Sequence, residues 1–420
     1  MSFETISVIG LGYIGLPTAA MFASRKKKVI GVDVNQYAVD TINRGEIHIV
    51  EPDLDMLVSA AVQQGYLKAT LVPESADAFL IAVPTPFKPC KQGEVPEPDL
   101  SYIKSASEAI APVLKKGDLV ILESTSPVGA TEQMAAWLAD ARQDLSFPQT
   151  AGEWADINIA HCPERVLPGK VVTELVQNDR VIGGMSKRCS ERSVELYKTF
   201  VMGECVVTNA RTAEMAKLTE NSSRDVQIAF ANELSMICDE LDIDVWELIS
   251  LANRHPRVNI LQPGPGVGGH CIAVDPWFIV SKTPETAKII HTARNVNDYK
   301  PEWVIDKVKV AVADFLNVNP TKTAKDVTIA CYGLAFKPDI DDLRESPALD
   351  ITESIAKNHP GDVLAIEPNI TSIDIDNVSL VSIDESLTRT DIHVMLVDHK
   401  QFKKIKINDA FVIDTKGIWV

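Results

Sequence analysis

A chain of 420 residues with 45% hydrophobic and 24% charged content is long enough for two or three domains, each with a core of its own. Its formal net charge of −17 sets up a field that repels nucleic acid and anionic membrane, so an anionic small-molecule ligand would have to be met by locally concentrated basic residues. No basic leader and no apolar run long enough to span a bilayer is present, which reads as a cytoplasmic protein without membrane insertion; seven scattered cysteines with no C-x-x-C pair read as reduced thiols rather than disulfides or a metal site.

The first 33 residues read as strand, glycine turn, helix, strand, with apolar strands over 6–9 and 29–32 on either side of Gly10-Leu11-Gly12-Tyr13-Ile14-Gly15. This is the dinucleotide fingerprint in its required setting. Gly10 makes the tight turn, Gly12 lets a pyrophosphate approach the backbone, Gly15 lets helix lie on strand, and the helix N-terminus offers partial positive charge to phosphates. Asp33 ends the second strand, placed to accept from both ribose hydroxyls. Because it is acidic and followed by Val34 and Asn35 rather than arginine, NAD is favoured over NADP.

Further buried parallel strands are expected over 78–83, 119–123 and 158–162. In an open α/β sheet the ligand lies beyond the carboxyl ends of the strands, which makes Thr85, Thr125 and Thr131 candidates for cofactor or water contacts; helix capping explains the same residues without a ligand. The segment 84–98 holds five prolines in fifteen residues and reads as a lid or rim. Glu164 and Arg165 stand at the end of the 158–162 strand, where a solvated turn pair is the plain alternative.

From 212 to 241 the period becomes helical, giving a helix on the order of 45 Å long. Apolar residues on two of its faces suit an element that links two domains and also meets a second subunit; Lys217 and Asn221, four apart, share one face. The stretch 263–276 then places four glycines within 264–269, a thiol at Cys271 and a carboxylate at Asp275. Glycine permits close backbone approach, so this loop can crowd a ligand while presenting a nucleophile and a base; an inert cysteine after a surface loop is the bland reading. Two helices follow, and short apolar strands over 327–332, 363–366, 393–397 and 411–413 restart the βα alternation. The first turn of this tail, Gly333-Leu334-Ala335-Phe336-Lys337-Pro338, lacks the dinucleotide fingerprint, so the second doubly wound domain should bind something other than NAD. Ser346 and Pro347 make an N-cap and a first helical position.

Six motifs in order, LGYIGLP, ESTSPVG, CPERVLPG, EMAKLTENS, GPGVGGHCIAVDP and GLAFKPDIDDLRESP, cover essentially the whole chain, which resembles the UDP-glucose/GDP-mannose dehydrogenase family. The 253–261 segment resembles the branch that acts on UDP 2-acetamido sugars; Ser223 departs from the aromatic residue usual after the ENS triplet. The resemblance implies an α/β fold of two Rossmann-like doubly wound domains joined by a central helical domain with a long helix: an NAD-binding domain over 1–208, a helical dimerisation domain carrying the cysteine loop over 209–318, and a UDP-sugar-binding domain over 319–420.

It further implies a four-electron, NAD-dependent oxidation of the primary alcohol of a UDP-sugar to a carboxylate, for surface polysaccharide synthesis, in a homodimer or larger homo-oligomer. Cys271 would attack the intermediate aldehyde, Lys217 and Asn221 would stabilise the oxyanion, a base near Lys217 and Asp275 would take the alcohol proton, and Thr125 with Glu164 would hold the hydrolytic water. By the same resemblance Tyr13, Ile14 and Arg344 join Asp33 on NAD, while Phe336, Lys337 and Lys416 contact UDP. Arg165, Val166, Arg224, His255, Arg257 and Gly268 would line the sugar and diphosphate, Arg257 reaching in from a neighbouring subunit. A two-electron hydroxyacid dehydrogenase and an NAD-sensing module are the rival readings; counting NADH per sugar separates two, one and none.

Overall fold

The computed structural model describes residues 3–91, 93–167, 169–269, 271–407 and 411–419, so Pro168 and His270 of the motifs above lie outside the described residues. The chain divides into two compact units, 1–220 and 221–420, with the boundary inside one continuous helix, Ala210–Glu240. The expected central domain over 209–318 is thus divided, with 209–220 in the first unit and the rest in one unit with the expected carboxyl-terminal domain over 319–420.

In the first unit, strands β1 (Thr5–Ile9), β2 (Lys28–Val32), β3 (Leu67–Thr70), β4 (Ala78–Ile81), β5 (Leu119–Leu122), β6 (Asn158–His161), β7 (Arg180–Gly184) and β8 (Cys205–Asn209) form one sheet in the order β3-β2-β1-β4-β5-β6-β7-β8. Every pairing is parallel except β6 with β7. β4, β5 and β6 are buried at every residue because helices cover both faces, splitting the apolar side chains into two core layers, one around Ile6, Val8 and Phe22 and one around Phe79, Val120 and Leu122. The sequence reading did not find β3, β7 and β8. β3 alternates between buried and half-buried residues and β8 exposes three of its five, while β7 begins on an arginine and ends on two glycines, so none carries a continuous apolar run.

In the second unit, β9 (Ile329–Tyr332), β10 (Val363–Ile366), β11 (Val378–Leu380), β12 (Ile392–Met395) and β13 (Phe411–Asp414) form an all-parallel sheet in the order β11-β10-β9-β12-β13. That order repeats the β3-β2-β1-β4-β5 half of the first sheet. Ser346 caps the helix Pro347–Asn358 by accepting from Leu349 N–H, with Pro347 at the first position as expected. A second helix of 31 residues, Lys288–Val318, runs through Pro301 and is far longer than its sequence signal, since proline ordinarily ends a helix. The polar residues on its buried face, Arg294, Asn297 and Lys300, are all bonded. Arg294 pairs with Asp225 of the Ala210–Glu240 helix at 2.6 Å, Asn297 Nδ2 donates to the same carboxylate at 2.8 Å, and Lys300 Nζ donates to Ser235 Oγ at 2.6 Å. Removal from water pushes Lys300 down to about 7. Among the described residues no helix is long and apolar enough to cross a membrane.

Candidate active site

The nucleotide cradle of the first unit forms where the strand order reverses, at the carboxyl ends of β1 and β4. Gly10 has φ +91°, and a Cβ there would lie 2.5 Å from Ala82 O; one at Gly15 would lie 1.8 Å from Gly10 O. At Gly12 a Cβ would meet nothing within 4 Å, so this glycine faces open space. Ile14 precedes the helix Gly15–Ser24, with Tyr13 exposed and Ile14 half-buried at its mouth. Asp33, half-buried at the end of β2, accepts from Leu11 N–H at 2.8 Å and Asn35 N–H at 2.9 Å, which ties the glycine turn to the second strand. These residues fit a dinucleotide: an open glycine where a pyrophosphate must come close, and a carboxylate oriented by backbone donors for ribose hydroxyls.

The loops after β4 and β5 are tied together. Thr85 Oγ1 donates to Thr125 O at 2.8 Å, while Thr125 itself is half-buried. Thr131 is fully buried, and its hydroxyl donates to Glu214 of the long helix at 2.6 Å; Glu214 also accepts from Gly129 N–H and Thr131 N–H. Through its hydroxyl, Thr131 thus clamps the helix that starts at Ala130 to the long helix.

At the end of β6 lies a buried charge cluster. Arg180 Nη1 bonds Glu164 Oε2 at 3.0 Å and its Nη2 stands 3.5 Å from Glu123 Oε1; Tyr197 donates to Glu123 at 2.6 Å while its ring lies 4.1 Å below the guanidinium. Burial works against the charge of Arg180, but Glu164, Tyr197 and Glu123 more than offset it and raise its pKa. Burial pushes Glu123 up to about 7 against the pull of Arg180. Glu164 Oε1 accepts from Arg165 N–H at 2.7 Å, so the whole carboxyl group is oriented. Arg165 itself bonds Glu220 through Nε at 3.0 Å and Asp179 O at 3.3 Å, and Val166 is half-buried against the core. Glu51 accepts from Gly169 and Val171 N–H groups at 2.9 and 2.8 Å, anchoring the far end of this loop. Sequence reasoning missed Glu51, Glu123, Arg180, Tyr197 and Glu214; Glu123 alone carried a signal, an acid at a strand's carboxyl end.

The second unit gathers the thiol. Asp275, buried at the start of the helix Asp275–Lys282, has its N–H on Cys271 O at 2.9 Å, and its carboxylate accepts from Asn221 Nδ2 at 2.5 Å. Cys271 is exposed one turn before that helix. Lys217 and Asn221, one turn apart on the long helix, are both half-buried. A Cβ on Gly268 would come 2.6 Å from Glu345 O and 2.9 Å from Phe336 Cβ, so this glycine allows the loop to lie on the Phe336 turn. Lys416 Nζ is 3.6 Å from a Cβ built on Gly264, which brings it to the same loop. Lys337 is exposed beside the Phe336 ring, and Arg344 is bonded by Asp342 at 2.6 Å. His255 and Arg257 are exposed on the loop closed by Asn253 and Ile260, where Arg257 N–H donates to His255 Nδ1 at 3.3 Å, and Arg224 is exposed on the long helix.

Three family models match in succession: the UDP-glucose/GDP-mannose dehydrogenase family NAD binding domain over 4–201, its central domain over 211–299 and its UDP binding domain over 330–420. UDP-N-acetyl-D-mannosamine dehydrogenase of Yersinia pestis is 69% identical over 100% of both chains. NDP-N-acetyl-D-galactosaminuronic acid dehydrogenase of Ralstonia nicotianae is 63% identical over 100% of this chain and 97% of its own. The solved UDP-D-ManNAc dehydrogenase of Pyrococcus horikoshii superposes with a TM-score of 0.85 at 37% identity, over 99% of this chain and 96% of that one. This succession of matches along the chain, on a structure with an open glycine cradle and an exposed thiol one turn before an oriented carboxylate, makes the chain a member of the UDP-glucose/GDP-mannose dehydrogenase family, an NAD-dependent sugar-nucleotide dehydrogenase.

Proposed function

We propose that this enzyme oxidises the primary alcohol of UDP-N-acetyl-D-mannosamine to the carboxylate in two successive steps at one site, supplying a uronate for a surface polysaccharide from the cytoplasm. The observation that carries the reading is the Cys271 thiol on the glycine loop, one turn from Asp275 and the Asn221 that orients it. NAD, when bound, accepts the hydride in each oxidation. Lys217 and Asp275, directly or through water, receive the alcohol proton as the aldehyde forms. The Cys271 sulfur then bonds to the aldehyde carbon, and Lys217 with Asn221 steadies the negative oxygen of the adduct. Loss of a hydride from that adduct, as its negative oxygen re-forms the carbonyl, leaves a thioester on Cys271. Water held by Thr125 and Glu164 attacks the thioester carbon, Glu164 receives the proton, and the C–S bond breaks to return the thiolate. Arg180 and the Arg165 amide orient Glu164 for that role.

On the substrate side, Phe336, Lys337 and Lys416 meet the UDP, Arg165, Val166, Arg224, His255 and Gly268 line the sugar and diphosphate, and Arg257 reaches into a neighbouring subunit. Tyr13, Ile14, Thr85 and Arg344 complete the NAD contacts around Asp33. The name of the Yersinia relative favours the mannosamine sugar, while that of the Ralstonia relative keeps the galacto epimer as its competitor. A panel of UDP-sugars assayed for NADH tests the proposal. Two NADH per UDP-N-acetyl-D-mannosamine, at a kcat/KM above those of UDP-N-acetylgalactosamine, UDP-N-acetylglucosamine and UDP-glucose, is the expected result. One NADH per sugar would refute the double oxidation, and preference for another sugar would refute the substrate.

A further inference from the structure

The second unit repeats the nucleotide cradle of the first and then closes it. β1 is followed by Gly10 and Leu11, and β9 by Gly333 and Leu334; both glycines take positive φ, +91° and +88°. Asp33 directly follows β2, and Glu367 directly follows β10. Asp33 accepts from Leu11 N–H at 2.8 Å, and Glu367 Oε2 accepts from Leu334 N–H at 2.8 Å and Ala335 N–H at 3.2 Å. The two acids differ in access. Asp33 is half-buried, whereas the Glu367 side chain is sealed by His399, whose Nε2 lies 2.8 Å from Oε2, with neither side chain exposed. A ribose has no route to that carboxylate, which gives a physical reason for a second Rossmann-like unit that does not take a dinucleotide.

The same pair reaches the other end of the turn. Asp339 N–H donates to His399 Nδ1 at 2.8 Å, so Nδ1 is the acceptor and the ring hydrogen sits on Nε2, donating to Glu367. Asn369 completes the shell, with its amide 3.1 Å from Nδ1 and its backbone and side-chain N–H groups on Glu367 Oε1. Burial alone would raise the Glu367 carboxyl, but the bonds from His399 and Leu334 reverse this and hold it below its ordinary range. Asp339 is kept at φ +61°, a left-handed conformation costly for a side chain, and Lys400 N–H donates to its carboxylate at 3.1 Å. On the other flank of His399, Asp398 lies 3.5 Å from Lys416 Nζ.

We propose that Glu367 and His399 are positioning residues for the substrate nucleotide: they pin the turn 334–339 at both ends, with Phe336 and Lys337 between the pins, and through Asp398 they set Lys416 beside it. This rests on the reading that Phe336, Lys337 and Lys416 meet UDP. Neither Glu367 nor His399 touches the ligand; they act by holding the groups that do.

The test measures UDP and NAD dissociation constants by calorimetry, with kcat and KM for the sugar nucleotide, in His399→Leu, His399→Gln and Lys337→Ala. His399→Leu should weaken UDP binding by about tenfold, equivalent to about 1.4 kcal/mol, and raise the sugar-nucleotide KM in step. Its kcat at saturation and its NAD affinity should each stay within about threefold of the parent, a split that general destabilisation does not produce. His399→Gln, which keeps one donor and one acceptor, should recover most of the affinity. If His399→Leu fails to fold, seen as lost NAD binding, Glu367→Gln carries the same test with an expected loss of about threefold or more. UDP affinity within about twofold of the parent in the folded variant, while Lys337→Ala weakens it, overturns the positioning pair alone. Unchanged UDP affinity in Lys337→Ala overturns the placement of UDP, and this proposal with it.

Discussion

Cys271 differs from the buried cysteines in both place and surroundings. Cys162, Cys189, Cys238 and Cys331 are buried, and burial pushes the Cys162 and Cys331 thiols well up, where they are inert. Cys271 is exposed at the glycine loop beside a helix start. Replacing it with serine keeps shape but swaps a thiol for a hydroxyl, which is a far weaker acid and a poorer nucleophile at neutral pH. Cys271→Ser should stall after the first oxidation, with overall turnover down by about three orders of magnitude or more and UDP-sugar and NAD binding near normal. Rapid-quench product analysis and NADH counts check it; two NADH per sugar at close to the parent rate would exclude covalent catalysis. Glu123 supports a second prediction. Its folded-state pKa of about 7 lies above its ordinary value of 4.5, so between those values the folded chain holds the extra proton. Its stabilising contribution is then full below about pH 4.5 and is lost as pH rises through about 7, on the order of 3 kcal/mol in all. Glu123→Gln, which cannot ionise, should flatten the decline in unfolding free energy between pH 5 and 8, measured by urea titration; an unchanged slope would show that Glu123 is not the group responsible.

Elements bring the glycine loop to a defined place. The long helix supplies Asn232, fully buried, whose Oδ1 accepts from Gly264 N–H at 2.9 Å and whose Nδ2 donates to Asn297 Oδ1 at 2.9 Å. Asn297 in turn bonds Asp225, the partner of Arg294, so loop and both long helices share one hydrogen-bonded seam. Truncating Asn232 to alanine strands a loop amide and an asparagine carbonyl away from water. Asn232→Ala should lower unfolding free energy by about 2–4 kcal/mol and reduce kcat, because the loop that carries Cys271 loses its tether. Denaturant unfolding and steady-state kinetics check both; a stable variant with parental kcat would show that the loop holds itself.

Across the whole molecule, the long helix and Leu241 just past its end leave apolar surface unspent. Phe230, Ile237 and Leu241 are 50%, 44% and 63% exposed, spaced seven and four residues apart along one stripe, while Ala213, Leu218 and Ala229 are buried on other faces. A stripe at that spacing is what a second helix covers, and a symmetric dimer supplies that helix from the same chain. The protein should be a dimer or a multiple of one at micromolar concentration by light scattering, and Phe230→Asp with Ile237→Asp should shift it toward monomer. A monomeric parent protein would sink the assignment.

Residues whose role follows from backbone shape or from local order were legible in the chain itself: Gly10 and Gly15 allow no side chain, Asp33 must end a strand, Ser346 and Pro347 must start a helix, and the strands buried on both faces announce themselves as unbroken apolar runs. These are decided within a few residues, so the sequence by itself determined the doubly wound class, the cofactor cradle and the cysteine loop. The tertiary structure alone decided what long-range contact decides. Arg180 meets Glu164 and Glu123 only because β7 runs antiparallel beside β6, Glu214 claims Thr131 from 83 positions away, and Glu367 meets His399 across the second sheet. A buried charge is tolerable only when its partner is already in place, and nothing in the local sequence records a partner that the fold delivers.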